Sequence, residues 1–281
     1  MTMFNRDYAL SPRRASALVL LSTTLLLAIA PSPRGTAIAA DGRLEAVKSA
    51  NKLQICIWPA YYGITFRNPR DSQLRGIDID LAKTLSNDLG VAPVFVDSSF
   101  ASFMDDLDAD KCDIAMFGIG HTEARRARVD LTEPHLRSGM YGITTKTNSS
   151  IRNWADIDQP GRVVAVQKGT VMEPYMLQNA KKAEVRVIVP PDTREDEVLS
   201  GRADVFMTDY PYSLRMQFQH DWARVIAPPQ IVNPVDYGFA IKKGQPDWLA
   251  RVNSFIAQIK KDGRLMTAAK ANQMEQIALT K

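Results

Sequence analysis

Leu53-Gln54-Ile55-Cys56-Ile57 opens the stretch that decides the fold, and Ile114-Ala115-Met116-Phe117 closes it. Residues 53–57 form an apolar run of strand length. Leu81, Leu85 and Leu89 recur at helical spacing, and Gly90 supplies a C-terminal stop. Residues 94–96 read as a second strand, Phe100, Phe103 and Leu107 as a helical stripe, and residues 114–117 as a third strand. Strands alternating with helices predict a parallel sheet with helices on its faces.

A second series of the same kind follows. Strands are expected at 163–166, 185–189 and 204–207, with helices from Thr170 and near 196–199. A long helix opens at Pro246, carries Leu249, Val252, Ile256 and Ile259 on one face, and ends at Gly263. Two isolated extended runs, 141–145 and 237–241, lie outside both series. The economical arrangement is two α/β lobes joined by two crossing strands, with the last helices returning to the first lobe.

Of 281 residues, 35 are Lys or Arg and 31 are Asp or Glu, a net charge of +4. Residues 1–39 hold Arg6, Arg13, Arg14 and Arg34 against Asp7 alone, so the remaining 242 residues carry 31 basic and 30 acidic groups. A body so nearly neutral lacks the basic face that a nucleic-acid binder needs. With 45% apolar and 23% charged residues it is not disordered either. Arg13-Arg14 precede an apolar run, 18–30, that is shorter than the ~20 residues of a bilayer-spanning helix. With Ala37-Ile38-Ala39 behind it, residues 1–39 read as a signal peptide cleaved near Ala39. Ala15-Ser16-Ala17 lacks the bulky pair of the twin-arginine route, so general export into the periplasm is expected. No cysteine near the cleavage site offers a lipid anchor. Cys56 and Cys112, the only cysteines, lie in apolar runs and read as buried free thiols.

His121, His135 and His220 lie far apart, so no metal site is expected. Gly118-Ile119-Gly120 lacks the third glycine of a dinucleotide loop, and no cofactor is expected. Ser49-Ala50-Asn51-Lys52 matches the Ser-x-x-Lys of penicillin-binding enzymes without its partner motifs. Three positions carry more. Arg125 follows a strand and a Gly-rich turn, 117–121, where its fork can hold a carboxylate beside backbone N–H groups; Arg126 and Arg128 read as a solvated face. Gly169-Thr170-Val171-Met172-Glu173 sits at a strand-to-helix junction suited to an anion. There Thr170 and Glu173 also fit a capping box, which by itself accounts for Glu173. Asp209 ends a strand, where ligands of open α/β sheets sit, and can bind an ammonium or cap a helix.

These residues resemble the polar-amino-acid family of periplasmic solute-binding proteins over roughly residues 43–263. Gly76-Ile77-Asp78-Ile79-Asp80-Leu81 is similar to its G-F-D-V-D-L signature. The run from Gly118 to Arg125, with Val129-Asp130-Leu131 and Pro134, resembles S-G-x-x-x-T-x-x-R…V-D-F-S-x-P-Y. Gly169-Thr170, residues 201–204 and residues 237–244 match further segments. The resemblance implies a two-lobed α/β fold of the Venus-flytrap type II kind with two hinge strands. Lobe 1 would comprise 41–139 plus 237–281, and lobe 2 would comprise 140–236. It implies a monomer that delivers a small zwitterion, an amino acid, to the membrane permease of an ABC transporter. Arg125 would hold the α-carboxylate and Asp209 the α-ammonium. Tyr61 would stack on the ligand, and Trp58, Phe117, Gly118, Gly120 and Thr170 would complete the site.

Gly120 stands where Ser or Thr is usual, and Val171 replaces a Thr. Trp58 replaces the Asp that serves basic amino acids, so the resemblance implies an uncharged or aromatic ligand. Residues 134–139 and 158–161, with Met207-Thr208-Asp209, resemble the family's cyclohexadienyl dehydratase branch. In that branch Glu173 would be the general acid acting on prephenate or arogenate. Met172 and Phe100 depart from that branch, which has Asn and Trp at these positions.

Overall fold

The computed structural model describes residues 42–281; the signal peptide expected at 1–39 lies outside them. The first sheet runs Ala92–Asp97, Lys52–Ile57, Ile114–Gly120, Val235–Lys242 and Val129–Leu131 from edge to edge, with Leu136–Ser138 also paired to Val235–Lys242. Its first three strands are parallel, as the alternation requires. All seven residues of Ile114–Gly120 are buried, so this strand has helices or strands on every side.

Helix Ile77–Leu89 packs on the sheet through Ile77, Ile79, Leu81, Ala82 and Leu85 and ends on Gly90 at φ 71°. It begins abruptly at Gly76, where φ is 130° and a Cβ would lie 2.2 Å from the Ile64 carbonyl oxygen. Helix Pro246–Asp262 buries Trp248, Val252, Phe255, Ile256 and Ile259. The expected Leu249 is only half-buried; Trp248 and Phe255 carry that face, and Trp248 Nε1 donates to the Asp113 carbonyl at 3.0 Å. The helix read from the Phe100 stripe starts only at Phe103, in Phe103–Asp108, which frees the Phe100 ring for the cleft.

The second sheet runs Glu184–Ile188, Val163–Gln167, Val205–Asp209, Met140–Thr145 and Ala223–Ile226. The first three are again parallel. Met140–Thr145 and Val235–Lys242 are the two extended runs outside the βα series. Each proves to be an antiparallel member of one sheet, as isolated runs must be to satisfy their backbone groups. The crossings are the short connections beside them, tied together where Met140 N–H donates to the Val232 carbonyl at 2.9 Å. The molecule is therefore a two-lobed α/β protein. Among the described residues no helix is long and apolar enough to cross a membrane.

The free-thiol reading of Cys56 and Cys112 is overturned: they form a disulfide, with Cα atoms 5.6 Å apart. Cys56 pairs in register with Ala115 on the neighbouring parallel strand, which brings Cys112 alongside. An apolar run describes a buried cystine as well as a buried thiol; only strand adjacency separates them. The bridge packs with Phe103, Leu107 and Phe117.

Candidate functional site

A cleft at the carboxyl ends of the strands of both sheets brings most of the expected residues together. Trp58, Tyr61, Gly118, Gly120 and Arg125 line it from one side, and Thr170 and Asp209 from the other. Arg125 sits in helix Glu123–Arg128, whose N-cap Thr122 accepts from the Arg125 N–H at 3.2 Å. Its side chain is only 5% exposed. Nη1 donates to the Gly120 carbonyl at 2.8 Å and Nη2 to the Gly169 carbonyl at 2.9 Å. The guanidinium lies 5.4 Å from the Phe100 ring centre and 5.5 Å from that of Phe103. Burial pushes its pKa down to about 10. No carboxylate among the described residues lies within ion-pair distance, so two carbonyl dipoles and two ring faces hold a bare buried cation. Arg126 and Arg128 are exposed, and Arg128 pairs with Asp105 and Asp108.

Asp209 answers both of its sequence readings. One oxygen, Oδ1, accepts from Tyr212 N–H at 3.2 Å and caps helix Tyr210–Gln219. The other, Oδ2, accepts from the Tyr61 hydroxyl and, at 2.8 Å, from the Tyr237 hydroxyl. Tyr237 comes from Val235–Lys242 in the first sheet and Tyr61 from the short strand Ala60–Tyr61, whereas Asp209 ends a strand of the second sheet. Burial raises the Asp209 pKa; the three donors and the nearby Arg194 cation oppose that rise.

Tyr61 packs at 5.4 Å from Trp58 and 5.7 Å from Phe100, and spends its hydroxyl on Asp209. Trp58 lies parallel to Tyr212, ring centres 6.0 Å apart. Gly118, at φ 62°, donates its N–H to Asp78 Oδ2 at 2.7 Å. Asp78 Oδ1 is 2.7 Å from His135 Nε2, both residues fully buried. That pair fixes the turn, and Gly118 has only its carbonyl left to offer the cleft. A Cβ on Gly120 would approach Val171 Cγ1 to 2.7 Å. The two departures at 120 and 171 therefore compensate each other in volume.

Two placements correct the sequence reading. Phe117 does not reach the cleft: its ring is fully buried against Phe100 and Phe103, at 5.0 and 5.7 Å. The capping box does not form: helix Met172–Asn179 starts later than expected, and Thr170 Oγ1 donates to the Gln167 carbonyl at 2.8 Å. Glu173 Oε2 instead accepts from Gly169 N–H at 2.6 Å, while Oε1 lies 3.9 Å from Lys168 Nζ. Glu173 is not among the residues lining the cleft.

Arg194, Tyr212 and Tyr237 also line the cleft, and no local sequence signal marks them as site residues. Tyr237 was visible only as part of a matched segment. Arg194 follows a capping Thr193, a setting in which arginines are ordinarily solvated. Among the described residues no group of three or more His, Cys, Asp or Glu could hold a metal ion.

A family model described as "Bacterial extracellular solute-binding proteins, family 3" matches residues 53–271. The L-cystine-binding protein TcyJ of Escherichia coli (strain K12) is 26% identical over 226 residues, 80% of this chain and 84% of that protein. The cyclohexadienyl dehydratase of Pseudomonas aeruginosa is 32% identical over 174 residues, 61% of this chain and 64% of that enzyme. A solved structure of AncCDT-1, described as an ancestral amino acid-binding protein and a precursor of cyclohexadienyl dehydratase, superimposes with a TM-score of 0.72. It is 31% identical and covers 81% of this chain and 98% of its own.

Proposed function

The chain belongs to family 3 of the bacterial extracellular solute-binding proteins, and from that premise we propose that it is the periplasmic ligand-capturing component of an amino-acid ABC transporter. The observation that carries this is the buried Arg125 guanidinium, which has no acid partner among the described residues. A ligand α-carboxylate completes its fork, and the ligand ammonium meets Asp209. Arg125 and Asp209 come from different lobes, so a bound ligand stabilises the closed arrangement over the open one. Inter-lobe bonds from Arg125 to Gly169 and from Arg215 Nη1 to the Ala60 carbonyl, 3.3 Å, accompany that closure. The captured ligand then passes to a membrane permease, the chain acting as a monomer.

The dehydratase relative supplies a second reading with Glu173 as general acid. Such an acid must come within hydrogen-bond reach of the departing hydroxyl. The engagement of Glu173 with Gly169 N–H, outside the cleft lining, favours binding over dehydration. One assay pair tests this. A panel of amino acids should raise the melting temperature for at least one member, with a stabilisation of about 2.7 kcal/mol at a hundredfold excess over Kd. Prephenate and arogenate should be left intact. Turnover of either that Glu173→Gln abolishes would establish the enzyme instead.

Asp209 gives the binding a pH dependence. Holding an ammonium requires the ionised carboxylate, and its raised pKa returns the proton earlier on acidification than at an exposed aspartate. Tyr61, Tyr237 and Arg194 face this group. On acidification amino-acid affinity should therefore fall at a pH above the ordinary aspartate range, while the des-amino analogue of the same ligand shows a flatter profile. Equal profiles for the two in titration calorimetry would remove the ammonium from Asp209. In the ligand-free chain the folded state holds the extra proton, so this group contributes less stability as pH rises above the ordinary aspartate range.

A further inference from the structure

Among the described residues only three charged side chains line the cleft: Arg125, Arg194 and Asp209. Resting on the amino-acid reading above, we infer that the ligand carries a second carboxylate, received by Arg194, so that the natural ligand is an acidic amino acid. This revises the uncharged or aromatic ligand that Trp58 implied.

Arg194 opens helix Arg194–Leu199 and is 3% exposed. Its Nη1 donates to the Met207 carbonyl at 2.8 Å, and its Nε has no hydrogen-bond partner among the described residues. The guanidinium sits 5.0 Å from the Phe206 ring centre and 4.7 Å from that of Tyr212. No carboxylate among the described residues pairs with it, although acids are close at hand. Glu197, on the same helix, pairs with Arg186 and Arg202. The adjacent Glu195 accepts from the Tyr212 hydroxyl. Arg186 and Arg202 are given acids, whereas Arg194, like Arg215 and Arg224, is not; of these last three Arg194 alone lines the cleft.

Packing alone does not explain the charge. A methionine or leucine would fill the space between Phe206 and Tyr212 without the cost of desolvating a cation. The cleft holds two cations against one anion, and burial weakens that anion. A zwitterion with a neutral side chain adds no net charge and leaves one buried cation uncompensated. A second carboxylate brings the sum to zero. The Tyr212 ring beneath Arg194 also stacks on Trp58 from the other lobe, so an acid drawn to Arg194 lies at the closing seam.

The test is titration calorimetry with aspartate against asparagine and glutamate against glutamine, on the mature chain and on Arg194→Met and Arg194→Lys. On the unaltered chain at least one acid should bind roughly tenfold or more tighter than its amide, the effect of one buried charge pair. In Arg194→Met the acid should lose about tenfold more than the amide, and Arg194→Lys should restore part of the preference. The ratio on the unaltered chain needs no variant to fold. Amides or other neutral amino acids binding as well as or better than the acids would overturn the inference and leave the amino-acid reading standing. An acid preference undiminished in a folded Arg194→Met would also overturn it. Failure of every amino acid to bind would sink both.

Discussion

Arg125→Ala is expected to weaken ligand binding by about 100-fold or more. Breaking one partner of a buried charge pair costs about 2–5 kcal/mol, and each 1.4 kcal/mol is tenfold. The guanidinium is already desolvated by the fold, so the ligand carboxylate gains a strong partner whose dehydration has been offset by protein packing. Its planar fork is also held by the Gly120 and Gly169 carbonyls and by the Phe100 face. Arg125→Lys should rescue little, because a point charge on a flexible stem cannot reproduce that fork. The ligand-free variant should melt close to the parent, since removing an unpaired buried cation relieves a desolvation cost. Calorimetry and thermal melts check both halves. Near-normal affinity in Arg125→Ala would remove the carboxylate from this position.

Removing the Cys56–Cys112 bridge has the largest expected effect on stability. The bridge closes a loop with a sequence separation of 56. Releasing a loop of that size returns chain entropy to the unfolded state worth about 4 kcal/mol. For a chain of this length the melting temperature should fall by about 10 °C. Both sulfurs are buried among Phe103, Leu107 and Phe117, so a reductant reaches them only when the lobe opens. The Cys56→Ala/Cys112→Ala variant therefore gives the cleaner measurement. An unchanged melting curve in that variant would show that the bridge contributes nothing.

The two βα series were legible because periodicity and strand length act locally. Leu81, Leu85 and Leu89 needed no partner to announce a helix, and Arg125 and Asp209 were placed by the strand ends before them. What the sequence left ambiguous depends on contacts between distant segments. Phe117 sits on a strand buried on both faces, so alternation cannot say which side chains reach the cleft. Cys56 meets Cys112 only because two strands lie in parallel register. Thr170 and Glu173 have capping-box spacing, but Gln167 and Gly169 offer their side chains better-placed partners. Arg194 looks like any arginine after a cap until Phe206 and Tyr212 bury it.

The most direct test is a crystal structure of residues 40–281 with the amino acid that raises their melting temperature most. The ligand is expected enclosed between the lobes, its α-carboxylate oxygens about 2.8 Å from Arg125 nitrogens and its ammonium on Asp209. A ligand bound outside this cleft, or one whose carboxylate lies away from Arg125, would contradict that placement.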